Sequence, residues 1–379
     1  MNDKRRRAAA DLMAQFAEET GVVGSAPARR YLWTDAFAVC NLLELFVATA
    51  EPRFLDLAVG LVDQAHDVLG KHRADDSRRG WISGLDEAEG RAHPTRGGLR
   101  IGKPVPERQP HEADDPEREW DQDGQYYHYL TKWMHALHRM AVVSGVESYR
   151  DWAVELAVAA HRGFLAPTGP PRLYWKMSID LTRPLVASSG LHDPLDGLVT
   201  GLVLGAAGPD QGNALADVNA DLVALCQDGR WATTDPLGIG GLLFDACRLA
   251  QLPTPNRPDG LMTTVLDAAE SSLATYARGR PLAASAPHRL AFRELGLSIG
   301  LHALDTMHAM RLPDPTRRQL ARFTDYATLA RAVEDFWLMP AHRLDSWREH
   351  LDINRVMLAT SLAPGQFLSA RWSAANDRD

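Results

Sequence analysis

Between Trp175 and Gly197 the chain collects an unusual set of side chains. The first part reads Trp175-Lys176-Met177-Ser178-Ile179-Asp180-Leu181-Thr182-Arg183-Pro184, and the second His192-Asp193-Pro194-Leu195-Asp196-Gly197. The segment is too polar for a core and too varied in type for a solvated loop, and it runs straight into an apolar helical pattern. It reads as one wall of a pocket. Two chemistries use such groups. Cleaving a glycosidic bond takes two carboxyl groups, one protonated and one charged. Inverting or moving a centre beside a carbonyl takes a proton acceptor and a proton donor, a task for which histidine suits neutral pH.

Both sets of groups are present. Asp193 precedes Pro194, which fits a first helical turn, so Asp193 is the expected N-cap. That leaves Asp196 free to face inward as a catalytic carboxylate. Asp235-Pro236 reads as a cap by the same logic. Thr34 is placed to cap the helix after Trp33, which frees Asp35 as the second carboxyl, and Asp180 is a further candidate. For proton transfer, His192 or His288 is the candidate base.

Six tryptophans (Trp33, Trp81, Trp120, Trp175, Trp231 and Trp347) lie in loops that lead into apolar helices. Aromatic faces there can stack on sugar rings or anchor the core. Arg29, Arg30, Arg172, Lys176, Arg183, Arg289, Arg293 and Arg343 lie near the same helix starts. They point to an anionic substrate or to pairing with neighbouring acids. The candidate substrate-binding residues are Trp33, Tyr127, His128, Trp175, Lys176, Arg183, His288, Arg293, Glu294 and Asn354.

The elements that must position these groups are helices. Apolar residues recur at helical spacing almost throughout, and nothing alternates as a strand. The helices come in pairs. First members are expected near 5–19, 53–70, 148–164, 211–227, 260–277 and 318–337, and second members near 35–50, 123–142, 196–206, 235–250, 294–309 and 352–363. First members carry a charged face, whereas second members such as Leu198-Val199-Thr200-Gly201-Leu202-Val203-Leu204 are apolar all round, the pattern of a buried helix. The chain crosses from second to first members in a few residues, as at Glu51-Pro52. It wanders from first to second, most of all over 71–122, a length that marks a functional or mobile loop.

This asymmetry resembles the six-hairpin glycosidase-like superfamily: an all-α (α/α)6 toroid covering residues 1–379 as one domain, with 71–122 a long loop at its mouth. An acid opens each second helix (Asp35, Asp123, Asp196, Asp235, Glu294 and Asp352), as a cap or as a group facing the mouth. The resemblance implies catalytic groups at the ends of the inner helices around a central cleft. The superfamily includes hydrolases of unsaturated uronides, and its toroid is shared by sugar epimerases of the N-acylglucosamine epimerase type. It implies an enzyme acting on a small, sugar-like substrate by hydrolysis or, alternatively, by epimerisation, isomerisation or elimination. A toroid that docks a partner protein on its 71–122 loop is the remaining alternative.

Composition removes other classes. The net charge of −8 argues against a nucleic-acid binder working through a basic surface. No apolar run long enough to span a membrane stands out, and no apolar segment follows the basic N-terminus as in a secretory signal. Cys40, Cys226 and Cys247 show no metal-ligand spacing and fit free thiols in a reducing cytoplasm. His111-Glu112 with Asp114-Asp115 reads as a solvated acidic loop rather than a metal site. There is neither a glycine-rich phosphate loop nor a G-x-S-x-G elbow, so no metal or cofactor is expected.

Overall fold

The computed structural model describes residues 3–113 and 115–371. Helices α1 (Asp3–Glu19) and α2 (Leu32–Thr49) form the first hairpin. Helix α3 (Pro52–Leu69) leads through the short α4 (Glu87–Ala92) and α5 (Pro116–Asp121) to α6 (Tyr127–Ser144). Helix α7 (Ser148–Phe164) pairs with α8 (Asp193–Gly205). The fourth hairpin joins α9 (Pro209–Ala214) and α10 (Ala216–Leu225) to α11 (Pro236–Gln251), and the fifth joins α12 (Leu261–Arg278) to α13 (Ala291–His308). The sixth runs from α14 (Asp314–Leu320) and α15 (Leu329–Leu338) past α16 (Ser346–Glu349) to α17 (Leu351–Leu362), with α18 (Gly365–Leu368) after it.

Helices α2, α6, α8, α11, α13 and α17 each pack on the next, and α17 returns to α2, so the inner ring closes. The outer helices pack around it, and α1 lies on α17 to complete the outer layer. This is the (α/α)6 toroid, with inner and outer helices as the charge asymmetry predicts. Helix α2 has a mean hydropathy of 1.4 over its 18 residues, so by length and composition alone it would pass for a membrane span, contrary to the sequence reading. Its place in the ring accounts for this, since 72% of it is buried. The outer layer is latched by Glu334 of α15. Its carboxylate takes a salt bridge from Arg5 of α1, lies 2.6 Å from His302 Nε2 and accepts from Ser361 Oγ at 2.7 Å.

Of the boundaries that differ from the sequence reading, two bear on the site. Helix α6 starts at Tyr127 rather than 123, because Asp123 is used otherwise: its carboxylate accepts N–H groups of Gly102 and Gly124, both at 3.0 Å, and the Arg100 guanidinium at 2.6 Å. Helix α8 starts at Asp193 rather than 196. Segment 71–122 is tied down rather than loose. Arg100 binds the carbonyls of Lys71 and Val68 (2.8 and 2.6 Å), and Gln125 holds Leu99 N–H and the Ile179 carbonyl (2.9 and 2.6 Å). Strands occur after all, in an antiparallel sheet of β1 (Gln125–Tyr126), β2 (Lys176–Met177) and β3 (Pro184–Val186), in that order. Strands of two or three residues leave no alternation for a sequence to show.

The axis of the ring is filled from the C-terminal side. Phe367 of α18 stacks between Phe37 (4.3 Å) and Phe244 (4.5 Å), and its carbonyl accepts from His135 Nε2 at 2.8 Å. Deleting such a ring costs its transfer energy plus a cavity. Phe367→Ala is therefore expected to destabilise the fold by about 3–5 kcal/mol, read from urea unfolding. A loss below about 1 kcal/mol would mean that the ring closes without its plug.

Candidate active site

Six hairpins send their inner helices the same way, so the inner N-termini share one rim. Each contributes a polar side chain near its start: Asp35 from α2, His128 from α6, Asp193 from α8, Asp235 from α11, Arg293 from α13 and Asp352 from α17.

The reactive groups cluster at α6 and α8. His128 keeps 30% of its side chain exposed and lies with Nδ1 3.8 Å from Asp193 Oδ1. Burial, with the Lys132 charge beside it, pushes the imidazole down to about 3 against the opposing pull of Asp196, so the ring is neutral. His192 precedes α8, and its Nε2 lies 2.7 Å from the Trp231 carbonyl. A carbonyl only accepts, so Nε2 carries the proton and Nδ1 keeps its lone pair. Burial lowers the pKa of His192, outweighing the Trp231 carbonyl and the nearby acids. Gly238 makes room for this ring, since a Cβ there would lie 2.9 Å from its Cε1.

Asp193 does not cap its helix. No side-chain cap bond forms at the start of α8, and Asp193 Oδ2 is buried without a partner. Burial first, and then repulsion from Asp196, push its carboxyl up to about 7 against the pull of Lys132. A carboxyl raised this far could give or take a proton near neutral pH, the property that the sequence reading sought in Asp196.

Asp196 is the charged member of a buried network that crosslinks three inner helices. Lys132 of α6 donates to it at 2.7 Å and Arg248 of α11 at 2.6 Å, while Thr131 adds a hydroxyl hydrogen bond. Arg248 also binds Asp245 and, at 2.8 Å, Thr200. Burial alone would raise the Asp196 pKa. The charges of Lys132 and Arg248, with these hydrogen bonds, reverse that and hold the carboxyl well below the usual range. A carboxylate so paired anchors the floor of the mouth and is a poor proton donor.

Asp35 is buried in the first turn of α2 and does not leave the capping to Thr34. Its Oδ2 accepts Tyr31 N–H at 3.0 Å, and Arg30 lies 3.7 Å away. Burial nonetheless pushes it up to about 7, opposed by Arg30 and that N–H.

Several other candidates serve the walls rather than the cleft. Lys176 is wholly buried, its ammonium donating to Glu119 Oε1 and to the carbonyls of Glu119 and Gln122, all at 2.7–2.8 Å. Asp180 closes the β2–β3 turn by accepting from Ser178 Oγ and Thr182 Oγ1 at 2.7 Å and from Arg78 at 2.9 Å. Arg183 holds the Arg108 carbonyl. Glu294 is buried on Arg289 and Trp337 Nε1, both within 2.8 Å. Asn354 is buried and donates to the Trp347 carbonyl at 3.0 Å. Tyr127 packs against Phe164 in the core. His288 lies exposed on the turn Ala286–His288. Asp114 lies outside the described residues.

The rim is aromatic. Tyr31 and Tyr129 share a hydroxyl hydrogen bond of 2.6 Å, and Trp33 lies 6.4 Å from Tyr129. Trp175 stacks on the His128 plane at 6.3 Å and contacts Tyr126 at 5.1 Å. Sequence reasoning missed the Tyr31–Tyr129 pair, although the run Tyr126-Tyr127-His128-Tyr129 signalled an aromatic helix start. The arginines near the rim are engaged: Arg293 with Asp235 at 2.9 Å, Arg29 with Asp352 at 2.8 Å, Arg289 with Glu294, and Arg343 with the Trp337 carbonyl. A concavity of about 480 Å³ opens at the other end of the barrel, lined by Glu44, Arg139, Gln251 and Met310 among others. Its lining holds one raised carboxyl, Glu44, which burial pushes up to about 7 and which accepts Gln366 N–H, but no histidine, whereas the rim brings carboxyls and histidines together.

No family's sequence profile matches the chain, and no curated protein matches it in sequence. Solved structures do match. The GH76A α-1,6-mannanase of Salegentibacter sp. HEL1_6 aligns over 96% of this chain and 100% of its own, with a TM-score of 0.54 at 12% identity. The cellobiose 2-epimerase of Spirochaeta thermophila DSM 6192 aligns over 97% and 99%, with a TM-score of 0.51 at 13% identity. A sugar epimerase from a ruminal bacterium aligns over 95% and 98%, with a TM-score of 0.51 at 9% identity. These likenesses show the fold, an (α/α)6 toroid.

Proposed function

We propose that this protein is an enzyme that interconverts a small sugar by proton transfer at the rim, in the manner of an epimerase or isomerase. The observation that carries this reading is His192: a neutral imidazole whose Nε2–H is committed to the Trp231 carbonyl, leaving the Nδ1 lone pair free, one residue from a carboxyl raised to about 7. In this scheme Nδ1 of His192 takes a proton from the carbon beside the sugar carbonyl. Asp193, a carboxyl raised to about 7, gives a proton to the opposite face of that carbon. The neutral His128 hydrogen-bonds the carbonyl oxygen without giving up its proton. The proton left on His192 returns to Asp193 through solvent, so that both groups are reset. Asp196 stays charged and fixes the floor.

Hydrolysis is the second reading. Its support is the pair Asp35 and Asp193, two carboxyls both raised to about 7, and the fold shared with a mannanase. It does not use Asp196 as nucleophile, because two cations already neutralise that carboxylate.

We read the substrate as neutral, since Arg29, Arg289, Arg293 and Arg343 are occupied by Asp352, Glu294, Asp235 and the Trp337 carbonyl. Segment 71–122 is read as a wall of the mouth and not as a partner-docking loop, because it is bound to the barrel through Arg100 and Gln125. Three buried, unpaired cysteines fit a reducing cytoplasm.

A panel of neutral reducing sugars tests the reading. One sugar is expected to convert to its epimer or ketose isomer, and His192→Gln to slow that conversion by about 10²-fold or more while sugar binding persists. Release of a shorter saccharide, with His192→Gln fully active, would favour hydrolysis.

A further inference from the structure

Trp120 stands apart from the other tryptophans. At 53% it is the most exposed large apolar side chain on the mouth wall, whereas Trp33, Trp81, Trp133, Trp231, Trp337 and Trp347 are buried. An exposed indole on a well-ordered surface marks binding when something holds it in place. Trp120 is held from two sides. Its ring lies 5.8 Å from Trp175 at an interplanar angle of 36°. Lys103 Nζ sits 4.9 Å over its ring and donates to its carbonyl. These contacts position the indole while leaving about half of the residue open to solvent.

Its position continues the site. Trp120 touches Trp175, Trp175 lies parallel to His128 within 11°, and His128 meets Asp193. A row of aromatic faces therefore leads from the exposed rim to the proton-transfer groups. The ring centres are 6.3 Å apart from His128 to Trp175 and a further 5.8 Å from Trp175 to Trp120, so the row offers more aromatic surface than one sugar ring covers. Resting on the reading of the rim as a sugar site, we propose that Trp120 is the stacking platform for a second sugar ring, so that the substrate is a disaccharide or longer and reacts at the ring beside His128. Indole faces bind the apolar faces of pyranose rings without reading charge, which suits a neutral saccharide.

The test is the ratio of two affinities, measured calorimetrically with glucose and mannose against cellobiose and mannobiose. Wild-type protein is expected to bind one disaccharide at least tenfold more tightly than its monosaccharide. Trp120→Ala is expected to abolish that preference while monosaccharide affinity stays within twofold, and Trp120→Phe to retain part of it. An unchanged preference in Trp120→Ala, or none in the wild type, overturns the platform but leaves the sugar site standing. Absence of binding by all four sugars overturns the sugar reading and the platform with it.

Discussion

Asp193→Asn is expected to lower turnover by about 10²- to 10⁴-fold while making the protein more stable at pH 8. The loss follows from removing the one rim carboxyl beside His128 that exchanges a proton near neutrality. The gain follows from linkage. Burial and Asp196 raise the folded-state pKa to about 7, so the native state binds this proton more tightly than the unfolded chain does. Stability is greatest below the unfolded value, declines as pH rises toward 7 and is flat above it. A shift of this size corresponds to at most roughly 4 kcal/mol at pH 8. Asparagine keeps the shape of the neutral acid and never ionises. Urea unfolding at pH 5 and pH 8 should therefore show an advantage of the variant that grows with pH. A variant that keeps full activity, or that is less stable by the same amount at both pH values, contradicts the role given to Asp193.

Arg248→Met is expected to cost as much stability as Phe367→Ala. Arg248 is buried with its guanidinium on Asp196, Asp245 and Thr200 and 4.2 Å over the Phe244 ring. Its removal leaves two carboxyls on two packed helices, α8 and α11, with Lys132 of α6 as the remaining cation in the network, and stranding a buried charge costs about 3–5 kcal/mol. Asp196→Asn errs in the opposite sense, leaving Lys132 and Arg248 short of an anion, so loss of activity in that variant would report unfolding. Circular dichroism melts separate the two: Arg248→Met should melt well below wild type, and an unchanged melting temperature would mean the network is dispensable.

The fold was legible because it is written in local contrasts. Polar-faced helices alternate with apolar ones, and short crossings alternate with long ones, which suffices to order inner and outer layers. The site was legible only as a place. His128 and Arg293 lie in the first turns of α6 and α13, His192 directly precedes α8, and Trp175 lies beside His128. Asp193 is not the N-cap that Pro194 suggested, because the helix begins a residue earlier than that argument assumed and His192 takes the cap position. The partners that fix Asp196, Lys132 and Arg248, come from helices far away in sequence. Lys176 and Asp180 looked like pocket residues because they are polar. Pairing of strands too short to leave a sequence signal draws Lys176 inside and turns Asp180 into a hairpin anchor.

The most direct measurement is an NMR time course of the purified protein with a panel of neutral reducing mono- and disaccharides in deuterated water. Proton transfer at His192 requires loss of the C–H signal beside the sugar carbonyl, with deuterium in the product and the glycosidic bond intact. New anomeric signals from bond cleavage, with that C–H retained, would contradict it and assign the rim to hydrolysis by Asp35 and Asp193.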